Sequence, residues 1–323
     1  MTLKRNTLLL AINGAGDNWT PAAWKERFGA RLPGLRILEP AVALEDPASV
    51  RYAAVWKPEP GLLAQFPTLE VIFNLGAGVD ALLKDATLPP VPLVRVVNQD
   101  LTKRMTEYVV MHVLIHHRRQ QRFVAQQATR TWDAPDQWAA GAVRVGLLGL
   151  GELGRDAGEV LARIGFDVAG WSRTSRTLPG ITGYHGADGL ARFLARTDIL
   201  VCLLPLTEET RGILNRRLIA GLARDGVLGK PVLINAGRGG LQVESEILEA
   251  LDEGTLGAAT LDVFETEPLP ATSRLWSHPQ VAITPHNAAD SSPGAITDYV
   301  VAQILAHEAG KPLSNIVDRA KGY

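Results

Sequence analysis

Arg144-Val145-Gly146-Leu147-Leu148-Gly149-Leu150-Gly151-Glu152-Leu153-Gly154 is the stretch on which the fold turns. An apolar run leads into G-x-G-x-x-G, formed by Gly149, Gly151 and Gly154, and a helix-like segment follows. The glycine string alone is weak evidence. In the order strand, loop, helix it gains a physical meaning, as the turn that takes a dinucleotide pyrophosphate. Gly149 permits the tight turn, Gly151 lets the backbone approach a phosphate with no Cβ in the way, and Gly154 lets the helix pack close to the strand. At Glu152 and Leu153 the helix N-terminus offers N–H groups and the positive end of its dipole.

The next strand ends about twenty residues beyond the loop, where an acidic side chain selects NAD by bonding the ribose 2′-hydroxyl. The sequence there reads Gly170-Trp171-Ser172-Arg173-Thr174-Ser175-Arg176. A carboxylate repels a 2′-phosphate, whereas Ser172 and Arg173 accommodate it. NADP(H) is therefore the expected cofactor, with NAD(H) as the alternative. The competing view is that Arg173 and Arg176 are ordinary solvated arginines.

Further out, short apolar runs alternate with amphipathic segments. Strand-like runs lie at 8–13, 52–56, 69–75, 93–98, 143–150, 166–172, 199–205, 232–236, 258–264 and 281–285. Most are apolar at nearly every position, as strands buried on both faces of a parallel sheet are. Helix-like segments lie at 103–131, 152–164, 188–196, 244–253 and 293–310. This alternation predicts an α/β fold: a doubly wound parallel sheet (Rossmann) that binds the nucleotide, and a smaller α/β domain ahead of it. The segment 103–131, read as one long helix, separates four strand runs from six. Its apolar positions Met105, Val109, Val113 and Leu114 suit core packing, a bridge between domains or a subunit contact, and its end after His116 reads as polar.

The 323 residues suit about two domains. With 46% hydrophobic and 21% charged residues, the chain reads as globular. A net charge of −1 argues against nucleic acid or an anionic membrane surface as partner. The N-terminal apolar stretch after Lys4 and Arg5 lacks a small-residue cleavage site and is too short to span a bilayer, so it reads as a first strand. No run reaches membrane length. The single cysteine, Cys202, rules out an internal disulfide and, within Ile199–Leu204, reads as a small buried hydrophobe. A cytoplasmic protein is the expectation.

Three more segments stand at strand ends, where open α/β sheets keep their chemistry. They are Asn235-Ala236-Gly237-Arg238-Gly239-Gly240, Leu261-Asp262-Val263-Phe264-Glu265-Thr266-Glu267-Pro268 and Thr284-Pro285-His286-Asn287. Together with Val55-Trp56-Lys57-Pro58, Asn74-Leu75-Gly76-Ala77-Gly78-Val79-Asp80, the glycine loop and Leu204-Pro205-Leu206-Thr207, they make the chain resemble the D-isomer-specific 2-hydroxyacid dehydrogenases. The likeness runs through most of the chain and is strongest to the glyoxylate/hydroxypyruvate reductase A-like branch.

The resemblance implies reduction of a 2-oxo acid at C2 to the D-alcohol. His286 would donate the proton, which suits a side chain that titrates near neutrality. Glu267 would orient its ring; Glu265, in the same loop, is the rival. Arg238 would hold the substrate carboxylate and polarise the carbonyl. Leu75, Gly76, Ala77 and Gly78 would present backbone N–H groups to that carboxylate, the alternative being a plain strand-to-helix turn, and Trp56 would wall a small pocket or else serve as a core tryptophan. Leu204, Pro205, Ala236, Gly237 and Asp262 would line the cofactor, Asp262 beside the nicotinamide, although an aspartate there could also cap a turn. The resemblance further implies a flavodoxin-like substrate domain built from residues 1–102 and 287–323, a dinucleotide-binding domain at 103–286, and a homodimer. Glyoxylate and hydroxypyruvate are the expected substrates, with larger 2-oxo acids as the alternative.

His112 and His116 share a helix face, but H-E-x-x-H is absent, so no metal site is expected. No G-x-S-x-G marks a nucleophilic serine. An end at Tyr323 argues against the longer, regulated phosphoglycerate dehydrogenases. A dinucleotide-sensing corepressor would need a peptide groove and extended termini, and the Arg238, Glu267 and His286 set favours an enzyme.

Overall fold

Fully apolar strands can be buried only where other elements cover both sheet faces, and two such sheets form here. The structure, a computed structural model, describes residues 7–14 and 17–322. The segment Met1–Asn6, expected to lead into the first strand, lies outside the described residues. The chain divides into two units, one of residues Met1–Leu101 with Ser291–Tyr323 and one of Thr102–Asp290.

The smaller unit carries β1 (Thr7–Ile12), β2 (Arg36–Leu38), β3 (Val50–Trp56), β4 (Val71–Asn74) and β5 (Leu93–Arg95). All pair in parallel in the order β2-β1-β3-β4-β5, a flavodoxin-like arrangement. On one face, Trp24 and Phe28 of helix Pro21–Arg31 and Ile296, Val300 and Ile304 of helix Pro293–Glu308 close over Leu8, Leu10, Tyr52 and Phe73. Each large side chain so buried contributes roughly 1.5–3 kcal/mol. Both helices start on a hydroxyl cap followed by proline: Thr20 Oγ1 accepts from Ala23 N at 3.3 Å and Ser292 Oγ from Ala295 N at 3.4 Å. β2, only three residues long, was not among the strands expected.

The larger unit carries β6 (Arg144–Leu148), β7 (Asp167–Ser172), β8 (Thr182–His185), β9 (Ile199–Cys202), β10 (Val232–Asn235), β11 (Ala258–Leu261) and β12 (Val281–Ile283). The order β12-β11-β10-β9-β6-β7-β8 is parallel throughout and doubly wound. The chain builds outward from β6 in one direction and from β9 in the other, so the strand order reverses between them. Ligands of open α/β sheets bind outside the carboxyl ends at such a reversal. The glycine loop follows β6, and Leu204, Arg238, Asp262 and His286 follow β9, β10, β11 and β12 along the same edge.

The expected single helix 103–131 is two helices, Gln99–His117 and Gln120–Thr129. They break at Arg119, whose φ of +55° no helix continues through. The end after His116 is polar and largely exposed from Arg118 onward, as expected, but His116 and His117 themselves are buried. His116 Nε2 lies 2.8 Å from Thr260 Oγ1 on β11, and His117 packs edge-on against Phe166. Burial drives the His116 pKa down to about 4 and lowers that of His112, so both sit neutral in the core. Cys202 is fully buried, and its thiol is pushed up to about 12. Among the described residues no helix is long and apolar enough to cross a membrane, and no cluster of side chains is arranged for a metal ion.

Candidate active site

The glycine loop is built as its spacing requires. Gly149 has φ +114°, a conformation open mainly to glycine. A Cβ on Gly154 would stand 1.9 Å from the Gly149 carbonyl oxygen, so only glycine lets helix Glu152–Ile164 reach its strand. A Cβ on Gly151 would meet no protein atom within 4 Å, although this residue is the helix N-cap and has no capping side chain. The loop therefore keeps a cradle at a helix N-terminus that a pyrophosphate fits. Gly237 lies across from Leu204: a Cβ on it would stand 2.9 Å from the Leu204 carbonyl, which brings the turns after β9 and β10 side by side. Pro205 accepts from Thr210 Oγ1 at 2.7 Å, and Ala236 N is tied to Cys202 O at 3.2 Å.

At the end of β7, Ser172 Oγ donates to Thr174 O at 2.8 Å and shapes the turn. Arg173 stands beside it, exposed, with Glu209 at 3.6 Å. The sequence offered no sign of Glu209, which lies in the loop after β9.

His286 follows β12 with φ +53°, an unusual conformation for a side chain with a Cβ and one that costs roughly 1–2 kcal/mol. The turn is held by Asp262, which is 1% exposed. Its carboxylate accepts from Thr284 Oγ1 at 2.6 Å, Asn287 N at 3.0 Å and Ala288 N at 3.1 Å, and its carbonyl accepts from His286 N at 2.7 Å. The structure thus shows Asp262 bracing the His286 turn, the capping role open to it from sequence.

His286 Nδ1 lies 2.7 Å from Glu267 Oε2. Glu267 is fixed by its other oxygen, which accepts from Phe264 N at 3.0 Å. Glu265 points elsewhere: its N–H donates to Glu244 Oε1 at 2.8 Å, and its carboxylate caps Glu244 N at 3.4 Å. The geometry therefore pairs Glu267, not Glu265, with the imidazole. With Nδ1 so engaged, Nε2 is the ring atom left to serve a ligand.

Arg238 caps the short turn Gly239–Leu241 and donates to Gly237 O at 2.7 Å. A Cβ on Gly239 would stand 1.8 Å from Phe264 O, so glycine lets the Arg238 turn lie against the loop that carries Glu267. Two buried amides lock this contact. Asn235 Nδ2 donates to Gln242 Oε1 at 2.8 Å, and Gln242 Nε2 donates to Val263 O at 2.9 Å. Gln242 went unnoticed in the sequence, where a lone amide beyond a glycine turn carries no pattern.

In the smaller unit, Leu75 requires a correction. Its N–H is spent on Val55 O at 2.9 Å and its side chain is buried, so it continues the sheet instead of donating to a ligand. Asn74 Nδ2 donates to Gly76 O at 2.8 Å and Gly78 O at 2.9 Å, which curls the Gly76-Ala77-Gly78 turn. A Cβ on Gly76 would lie 2.4 Å from the Trp56 ring, so the turn rests on that indole. Trp56 in turn packs on Trp19, with ring centroids 5.1 Å apart.

Residues 110–288 match the sequence profile of the NAD binding domain of D-isomer specific 2-hydroxyacid dehydrogenases. The chain belongs to that family. It is 40% identical over 306 residues to glyoxylate/hydroxypyruvate reductase A of Serratia proteamaculans, covering 93% of this chain and 96% of the relative. Among solved structures, it is similar to an NADPH-dependent glyoxylate/hydroxypyruvate reductase from Sinorhizobium meliloti in complex with NADP and sulfate, with a TM-score of 0.92 and 44% identity over 98% of this chain and all of that one. It is equally similar to a probable 2-hydroxyacid dehydrogenase from Rhizobium etli with NADP, HEPES and tartaric acid, at a TM-score of 0.93 and 44% identity over 99% of this chain and all of that one. The 2-hydroxyacid dehydrogenase assignment and its reductase A-like branch thus rest on both the motifs and these likenesses.

Proposed function

We propose that the protein is an NADPH-dependent reductase of small 2-oxo acids, converting glyoxylate to glycolate and hydroxypyruvate to D-glycerate. The observation that carries this is the His286–Glu267 pair, 2.7 Å apart, on the strand edge that also carries the glycine loop. The cradle at Gly149–Gly154 would hold the pyrophosphate, and Ser172 and Arg173 the 2′-phosphate. Bound there, NADPH supplies the hydride that reaches C2 of the substrate.

The chain's own residues supply the rest. Arg238 holds the substrate carboxylate and draws electron density toward the carbonyl oxygen. His286 gives that oxygen a proton from Nε2, and Glu267 fixes the ring and stabilises the imidazolium form. Trp56 and the Gly76-Ala77-Gly78 turn are assigned to the substrate, Trp56 favouring a short side chain. The same reading makes the protein a cytoplasmic homodimer that needs neither nucleic acid nor membrane. Relatives named for glyoxylate and hydroxypyruvate and solved with NADP support it.

The test is oxidation of reduced nicotinamide followed by absorbance, with glyoxylate, hydroxypyruvate, pyruvate and phenylpyruvate, each with NADPH and NADH. Turnover is expected with NADPH and the two smaller polar acids. His286→Ala is expected to lose at least about a hundredfold in kcat while still binding NADPH. Turnover confined to phenylpyruvate or to NADH would overturn the substrate or cofactor assignment. Wild-type rates from His286→Ala would remove the proton donor.

A further inference from the structure

We propose that Thr284 and Tyr108 are positioning residues for the reaction: a chain of hydroxyls from Tyr108 through Thr284 to Asp262 holds the turn that presents His286. The proposal rests on the reading of His286 as proton donor. Thr284 Oγ1 lies 2.6 Å from Asp262 Oδ1 and donates its proton there. The Tyr108 hydroxyl lies 2.8 Å from the same Thr284 oxygen and must therefore be the donor of that pair. Burial holds the Tyr108 phenol far above its ordinary titration range, so it keeps the proton it donates.

What hangs on this chain is the backbone around His286. Asp262 Oδ1, the atom that Thr284 contacts, also accepts the N–H of Asn287 at 3.0 Å and of Ala288 at 3.2 Å. The His286 N–H is tied to the Asp262 carbonyl at 2.7 Å. Residues on both sides of a histidine held at positive φ thus converge on one aspartate. Its carboxylate is steered from behind by the two hydroxyls. Tyr108 is anchored in turn, because it is buried in helix Gln99–His117 and its ring packs 4.3 Å from that of His112. Loss of the Thr284 hydroxyl leaves the Asp262 carboxylate to the N–H groups of Asn287 and Ala288 without its side-chain brace, and the turn loosens so that the His286 ring samples poses in which Nε2 misses the substrate oxygen.

Four variants test this in the full-length protein with NADPH and glyoxylate: Thr284→Val, Thr284→Ser, Tyr108→Phe and the Thr284→Val/Tyr108→Phe double variant. Thr284→Val is expected to lower kcat about tenfold with KM and the NADPH Kd within about twofold, and Thr284→Ser to recover most of the loss. Tyr108→Phe, which keeps the ring and loses the hydroxyl, is expected to cost about threefold, and the double variant no more than Thr284→Val alone, because one chain is cut only once. A second readout needs no cofactor: the His286 ring resonances, identified by their loss in His286→Ala, should broaden in Thr284→Val and remain sharp in Thr284→Ser. Full kcat in Thr284→Val, or losses that multiply in the double variant, would overturn the relay. Should Thr284→Val not fold, Tyr108→Phe and Thr284→Ser carry the test, and full kcat with sharp His286 resonances in Tyr108→Phe counts against it. An inactive His286→Ala beside a fully active Thr284→Val sinks the relay alone; an active His286→Ala sinks the proton-donor reading beneath it.

Discussion

Arg173 and Glu209 show how a single side-chain contact can be spent on a ligand. Both are exposed, and their 3.6 Å separation makes an ion pair of the kind worth roughly 0–1 kcal/mol. An incoming 2′-phosphate offers Arg173 more charge and better geometry at little cost in lost pairing. Ser172→Asp combined with Arg173→Ala places a carboxylate where the phosphate would sit and removes the cation. Its kcat/KM with NADPH should fall by about a hundredfold while that with NADH holds or rises. Measuring kcat/KM with both cofactors decides it, and an unchanged ratio would discard Ser172 and Arg173 as the selector. Glu265 and Glu267 make the same point for catalysis. They are two residues apart in one loop, yet one caps Glu244 and the other meets His286.

At the scale of elements, the strand–loop–helix of the glycine motif separates two demands that one sequence pattern merges. Gly154 is needed by the protein, whereas Gly151 faces open space and is the glycine we assign to the ligand. Gly154→Ala sets a Cβ against the Gly149 carbonyl and forces the helix off its strand, so the melting temperature should drop by several degrees, roughly 1–3 kcal/mol of overpacking. Gly151→Ala meets open space and an extended backbone, φ −74° and ψ −164°, that alanine adopts readily. It should melt within about 2 °C of the wild type and yet bind NADPH at least about tenfold more weakly. Thermal melts and cofactor titration of both variants would show it. Gly151→Ala with undiminished affinity would mean that no phosphate approaches that backbone.

At the scale of the molecule, helix Gln120–Thr129 and the segment after it leave apolar side chains in the open. Trp132 is fully exposed and Val124 57% exposed, with Phe123 and Met111 also at the surface. Isolated surface hydrophobes are ordinary, but a tryptophan with no cover that shares a surface hollow with Phe123 of the preceding helix, next to the exposed Val124, suits contact with a second copy. The protein is expected to sediment as a dimer at micromolar concentration. Trp132→Ser with Val124→Asp should shift it to monomer with the far-ultraviolet circular dichroism unchanged. A wild type that is monomeric at every concentration tested would refute the homodimer.

Much of this protein is readable from residue order because its decisive features are local. The glycine spacing needs only a turn and a helix start, the ten apolar runs need only two covered faces, and Arg238 and His286 each stand in a short motif at a strand end. Of the four edge strands, β5 and β12 were readable and β2 and β8 were not: β2 is Arg-Ile-Leu and β8 is Thr-Gly-Tyr-His, without the apolar run that marks a covered strand. Nor was the break at Arg119, since a positive φ in an arginine has no compositional mark. The finer features of the site depended on tertiary contact. That Glu267 and not Glu265 reaches the imidazole, that the Leu75 N–H belongs to the sheet, and that Asp262, Thr284 and Tyr108 form one chain all join groups brought together by pairing of strands and packing of helices. Hydrogen bonds act over about 3 Å of space whatever the distance along the chain, so only the folded arrangement selects among the partners that a sequence permits.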